Sequence, residues 1–208
     1  MDGHDVKTCR PERLWRIKTR LGVPCLAGGT FYRIAERLYI VMSNKTDSNP
    51  TEQELKNLAE DLIKVQSTMT LATARGNIAW AAPVYYAYLK YCFYFFSDPA
   101  SRHIQEPLAS NQASSVIYAP ASTWQEIRGI QMSGSVENIS PGLEAIEAVR
   151  AYLKKFAFTK DFFTPGQAMD LSAFTSRFRV KLYRFKPSLI YYMDNSIRFG
   201  FREKIIIA

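Results

Sequence analysis

Histidine is almost missing from this chain: His4 and His103 are the only two in 208 residues. Cysteine is scarce as well, and Cys9, Cys25 and Cys92 form no Cys-x-x-Cys pair. That spacing argues against a disulfide framework, and the shortage of histidine argues against a structural zinc centre. No apolar run approaches the roughly 20 residues that a membrane helix needs. The basic N-terminus lacks the unbroken apolar segment and cleavage site of a signal peptide. The expected compartment is therefore the reducing cytoplasm, with no membrane partner. Gly-x-Gly-x-x-Gly, the P-loop and Gly-x-Ser-x-Gly are all absent, so nothing marks a dinucleotide fold, a nucleotide hydrolase or a serine hydrolase. Acidic residues are outnumbered, 19 to 27, for a formal charge of +8. Residues 1–41 hold eight Lys/Arg against four Asp/Glu, leaving nineteen against fifteen in the rest. This excess is either a solvated surface or an attraction to anions such as phosphates. No Lys/Arg run is dense enough for a nucleic-acid motif, and a nucleic-acid partner is not expected.

Apolar and aromatic residues are plentiful. The chain is 47% hydrophobic and 13% aromatic, with twelve Tyr and thirteen Phe. That is enough for a sizeable core, and the aromatic share favours strands. The length fits one domain with an appendage. Residues 1–50 show no clean period and contain Gly22, Pro24 and Gly28-Gly29; they read as a poorly structured basic extension preceding a domain over 51–208. Met42 opens a polar run ending at Pro50, so translation starting at Met42, with 1–41 an over-extended gene start, is one expectation. A genuine basic arm is the other.

Thr51-Glu52-Gln53-Glu54 is a capping box, and Leu55, Leu58, Ala59, Leu62 and Ile63 follow at helical spacing, predicting a helix over 51–66. Strands are expected at 68–74, 78–88 and 91–97. The first two are joined by a turn at Arg75-Gly76-Asn77, where Gly supplies a positive φ. Pro83 within the second strand points to an edge position or a bulge, because proline cannot donate to a ladder. Short helical character at 100–110 precedes strands at 114–118 and 126–139. Gly129 and Gly134 inside the latter mark barrel bends or the close approach of a ligand. A helix over 143–156 follows, then a weakly patterned 161–175. Beyond that come strands at 177–185 and 188–193, divided by a break at Lys186-Pro187, and a turn at Asp194-Asn195-Ser196 leading into 197–201. Six or seven mostly hairpin-linked strands with flanking helices predict a mainly β (α+β) protein, a small antiparallel barrel. A parallel sheet would need helices between most strands.

The best candidate site is the loop from Ser97 to His103, at the end of a strand and the start of a helix. Ser101 brings a hydroxyl, Arg102 a planar cationic fork and His103 a further donor, ahead of a helix N-terminus; together these can hold a phosphate. The alternative is a surface turn with a helix-capping serine. Trp80, Tyr85, Tyr86 and Tyr88 either flank a flat ring system or fill a core or dimer interface. Gln125, Arg128, Gln131 and Ser133 either reach a ring's heteroatoms or face solvent.

The run Thr70-Leu71-Ala72-Thr73, Ala82-Pro83-Val84-Tyr85-Tyr86, Tyr94-Phe95-Phe96-Ser97, Ser101-Arg102-His103 and Arg128 to Val136, in that order, resembles the FMN-binding split barrel of the pyridoxamine 5′-phosphate oxidase superfamily. Within it, the Ile-Arg-Gly-Ile-Gln strand and the Asp194-Asn195-Ser196 … Phe199-Gly200-Phe201 tail resemble a small bacterial subfamily. The resemblance spans roughly residue 51 to the C-terminus. It implies a homodimer with FMN across the interface, the second-strand backbone against the isoalloxazine and a Ser-Arg-Lys motif at the phosphate. The cofactor-binding set that follows is Ala82, Pro83, Val84, Tyr85, Ser97, Ser101, Arg102, His103 and Gln131, with His103 standing where the family has Lys. No catalytic acid or base is assigned. The family's pyridoxal-phosphate motif has no match here. The expectation is thus an FMN-dependent oxidoreductase of open substrate; the alternative is a non-catalytic module binding flavin, haem or another anionic cofactor.

Overall fold

The computed structural model describes residues 49–162, 175 and 178–206. The expectations for the N-terminal extension and for most of 161–175 lie outside the described residues.

Helix α1, Glu52–Val65, starts at the predicted capping box. The Glu54 backbone N–H donates to Thr51 Oγ1, and Thr51 N–H donates back to Glu54 Oε2 at 2.7 Å. Its buried face is Leu55, Ala59, Leu62 and Ile63, the 3–4 spacing visible in the sequence. Strands β1 (Thr68–Arg75) and β2 (Ile78–Tyr85) form a hairpin around Gly76, whose φ is +59°. Strand β3, Ala87–Leu89, continues β2 after a single residue, and β4 is Cys92–Ser97. The turn between them is Lys90-Tyr91, both at positive φ, a two-residue turn whose twist suits the hairpin. Helix α2 spans Arg102–Ser110 and ends on Asn111 in the left-handed region. Strands β5 (Ala113–Tyr118) and β6 (Arg128–Asn138) follow. Then come helix α3 (Leu143–Lys155), strand β7 (Lys181–Asp194) and strand β8 (Arg202–Lys204).

The strands form one eight-stranded antiparallel sheet in the order β2-β1-β5-β6-β7-β4-β3, with β8 added to β7. The first and last members of that path are consecutive halves of one strand. The chain bends at Tyr86, whose N–H donates to Ser67 O, and passes from pairing with β1 to pairing with β4. The sheet thereby closes on itself as the antiparallel split barrel expected. Pro83 lies on β2, which pairs on one side only, as proline requires.

Lys186-Pro187 does not break the chain into two strands. Strand β7 runs unbroken past it because the register against β6 shifts there: Ser133 faces Leu189, whereas Gly134 faces Pro187. Ser188 is left as a bulge, and the missing proline N–H falls at the irregularity.

The barrel interior is aromatic: Tyr86, Phe93, Phe95, Phe185, Tyr192 and Phe201 are all fully buried, and α1 adds its apolar face to the same core. Helix α3 packs Ala145, Ala148 and Val149 on the outside of the barrel, against Cys92, Tyr94 and Leu182 of β4 and β7. Strand β4 is therefore buried on both faces. No described helix covers the outer face of β1, β5 and β6, where Tyr118 is exposed; at the end of β2, Tyr85 packs against Phe156 at the close of α3 and Phe158 just beyond it.

Candidate functional site

Strand β4 ends at Ser97, buried beneath the loop that opens α2. Asp98 makes the turn: its carboxylate accepts from Ala100 N–H at 2.8 Å, and its carbonyl accepts from Ser101 N–H at 3.1 Å. Ser101 is the N-cap residue by position, but its hydroxyl makes no bond to the helix. It donates to Asp98 O at 2.6 Å instead. The capping-serine reading therefore does not describe this loop. Ser97 Oγ lies 2.8 Å from His103 Nε2 and 3.3 Å from Ser101 Oγ, closing a cluster of three polar side chains. With its proton committed to Asp98 O, Ser101 Oγ can only accept from the other two. Burial of the His103 ring holds its pKa below the ordinary 6.5, with the Asp98 charge opposing the shift weakly. The imidazole is thus neutral at pH 7, so the loop's standing positive charge is that of Arg102.

Arg102 is held from two sides. Its Nε donates to Glu106 Oε1 at 2.8 Å, one helical turn on, and its guanidinium carbon sits 4.7 Å from the centre of the Trp80 ring. Hydrogen bonds from Thr73 and then from Arg102 hold the Glu106 carboxyl below the usual range, so it is ionised. Glu106, Thr73 and Trp80 were not singled out together from the sequence. The Arg-x-x-x-Glu spacing is the signal that could have found the first pair; nothing local points to Thr73.

The second-strand residues divide by pleat. Val84 lies in the core and Ala82 shares its face, while Pro83 and Tyr85 stand on the outer face. Tyr85 meets Phe156 and Phe158 edge-on or tilted, with ring centres 5.2 and 5.6 Å apart. Tyr86 is core, and its hydroxyl donates to Ile63 O. Gln131 is on the outer face of β6. There a row of cross-strand partners runs Pro83, Thr70, Val116, Gln131, Tyr191 from β2 to β7. A shallow groove of about 470 Å³ follows this row and the next, lined by Thr70, Val116, Gln131, Ser133 and Tyr191 among others. No residue of the Ser97–His103 loop lines it. The two regions meet through β1: Thr70 and Ala72 line the groove, and Thr73 reaches Glu106 behind Arg102. The structure therefore gathers Ser97, Ser101 and His103 in one cluster, sets Arg102 beside them, and places Pro83 and Gln131 on an open sheet face.

A phosphorylated flavin fits these groups in kind. Arg102 is 42% exposed and offers a guanidinium edge for a phosphate, and the sheet face offers one flat wall for a ring. The carboxylates of Asp98 and Glu106 work against net attraction, so the fit rests on geometry more than on charge.

No protein-family model matches the chain. A curated relative, the UPF0306 protein of Klebsiella pneumoniae (strain 342), is 24% identical over 137 residues, covering 65% of this chain and 82% of that protein. Among solved structures, a haem-binding protein of Mycobacterium smegmatis matches with a TM-score of 0.55 at 17% identity, over 76% of this chain. The chain spans 58% of that protein's length. HutZ, the haem storage protein of Vibrio cholerae, matches at a TM-score of 0.51 and 12% identity, over 64% of this chain and 90% of HutZ. A Listeria innocua protein named after pyridoxamine 5′-phosphate oxidase matches at 0.51 and 13%, over 67% of this chain and 98% of its own. Likeness at these identities is a likeness of fold. The chain has the split-barrel fold of the pyridoxamine 5′-phosphate oxidase-like proteins, a fold whose members include haem binders. Among the described residues no helix is long and apolar enough to cross a membrane.

Proposed function

We propose that this protein is a flavin-binding split barrel that acts as a homodimer, holding FMN across the interface as an FMN-dependent oxidoreductase. The observation that carries this reading is the arginine fork of Arg102, fixed by Glu106 and Trp80 near the turn of the β1–β2 hairpin. One protomer supplies a single wall, so a second copy laid against the outer face of β1, β5 and β6 would enclose the ring. In this reading Arg102 and Ser101 hold the phosphate, with Ser97 and His103 shaping the loop. Ala82 to Tyr85 and Gln131 border the ring. A bound flavin would supply the redox chemistry, while the chain binds it, orients it and excludes water.

A second reading is binding without turnover, of flavin or haem, for storage or sensing. It is favoured by the groove lining, in which Tyr191 is the one side chain of a type that serves as a general acid or base, the rest being Thr, Ser, Gln and apolar residues.

The spectrum of the purified protein separates the two. Flavin absorption that bleaches with a nicotinamide donor and recovers in air supports the oxidoreductase. A Soret band, or flavin that no donor bleaches, supports the binding module. Arg102→Ala should weaken FMN binding by roughly 1.5–3 kcal/mol through loss of a charge-assisted contact. Unchanged affinity in a fluorescence titration would refute the phosphate assignment.

A further inference from the structure

Glu106 is a buried carboxylate, 6% exposed, that the proposed cofactor contacts do not use. Both of its oxygens are occupied. Oε1 accepts from Arg102 Nε at 2.8 Å, and Oε2 accepts from Thr73 Oγ1 at 2.6 Å. Thr73 faces Trp80 across the β1–β2 ladder, and Trp80 stacks on the guanidinium at 4.7 Å. Three elements therefore converge on one side chain. Helix α2 supplies Glu106, β1 supplies the threonine that fixes the carboxylate, and β2 supplies the ring. The Nε edge and one face of Arg102 are consumed, and among the described residues no group bonds its Nη atoms.

An arginine on a flexible stem loses side-chain entropy when it grips an anion; one already locked loses little. The remaining Nη edge carries parallel N–H groups at the spacing of two phosphate oxygens. The ion pair also cancels most of the arginine's charge at long range, so selection here depends on the fork's shape.

We propose that Glu106 is a positioning residue for anion capture, setting Arg102 so that its Nη edge receives two oxygens of a phosphomonoester. This rests on the flavin-phosphate reading above and goes beyond it by giving the selectivity to a residue that does not touch the ligand. Glu106 would make the site discriminate FMN from riboflavin.

The test is the ratio of FMN to riboflavin affinity, titrated by flavin fluorescence on the full chain at fixed ionic strength. Wild type should prefer FMN. E106A should lower that preference about tenfold with riboflavin affinity unchanged, the loss expected when a charge-assisted contact is mis-set. E106Q keeps an acceptor for Arg102 Nε and should stay within about threefold of wild type. Where E106A fails to fold, E106D replaces it with the same expected loss, because the shorter side chain cannot span Thr73 and Arg102 together. In the cofactor-free protein, the Arg102 Nε–H nuclear magnetic resonance signal should exchange slowly in wild type and vanish into solvent exchange in E106A. An E106A variant that binds FMN more tightly overturns the proposal, since Glu106 would then only neutralise Arg102. Equal weakening toward both flavins overturns it as well, because the role would be structural. Failure of the phosphate reading looks different: wild type itself would show no preference for FMN, and the positioning role would fall with it.

Discussion

Gly134→Ala tests the geometry on which the sheet depends. Gly134 is on β6 at the point where the ladder to β7 changes register. A methyl group placed there would lie 2.2 Å from Lys186 O, 2.8 Å from Pro187 Cα and 2.9 Å from Lys186 C. All three are backbone atoms, so no rotamer change relieves the contact; β6 and β7 must part by about 1 Å to restore van der Waals distance. Overpacking of this kind costs roughly 1–3 kcal/mol, and the parting weakens adjacent ladder bonds worth about 1 kcal/mol each. Against this, alanine narrows the unfolded ensemble, a gain of about 0.4–1 kcal/mol. The net expectation is a loss of about 3 kcal/mol, or a drop of roughly 6–12 °C in Tm for a domain of this size class. Circular dichroism melts would measure it. Two controls grade the effect. Gly129→Ala meets Ile117 O at 2.8 Å and should cost less; Gly142→Ala meets nothing within 4 Å, and as the N-cap of α3, where alanine is disfavoured, it should cost only about 0.5–1 kcal/mol. A Gly134→Ala melt indistinguishable from wild type, or one matched by Gly142→Ala, would refute the reasoning.

Two further outcomes are expected. Tyr86→Phe removes the hydroxyl that donates to Ile63 O at 2.7 Å; it should destabilise by about 1 kcal/mol in urea unfolding, because Lys155 Nζ still reaches the same carbonyl. No change in the midpoint would show that this bond does not tie α1 to the barrel. For His103, burial lowers the folded-state pKa below the ordinary 6.5, so the unfolded chain takes up the proton first as pH falls. Stability should therefore decline from about pH 6.5 down through the folded pKa, and His103→Asn should flatten that part of the profile. Asp98, Arg102 and Glu106 remain in the variant, and parallel wild-type and variant profiles would show that His103 contributes nothing there.

Much of the fold was legible because its signals are local. The Thr51–Glu54 capping box, the turn at Gly76 and the strand leading into that turn each act over a few residues, and each forms where the sequence places it. Of the two readings open for Pro83, an edge position or a bulge, the edge is the one that holds: β2 pairs with β1 alone and in unbroken register. Pro187 was misread because its compensation is remote. The bulge that tolerates it is shared with Gly134, more than fifty positions away, and neither residue alone announces the other. Gly129 and Gly134 read from the sequence as barrel bends or as points where a ligand comes close; what comes close to them is the neighbouring strand, Ile117 and Tyr118 at Gly129 and Lys186 and Pro187 at Gly134.

The same division runs through the candidate site. Local sequence determined the Ser97–His103 loop and its cluster of hydroxyls and imidazole, because all its partners lie within six positions. Only the closed barrel decided what Arg102 can do. The return of β1 and β2 over α2 brings Thr73 to a carboxylate 33 positions away and lays Trp80 on the guanidinium. Contacts that join distant segments depend on how the sheet twists and closes, and a sequence pattern records the faces of its elements without recording which faces meet.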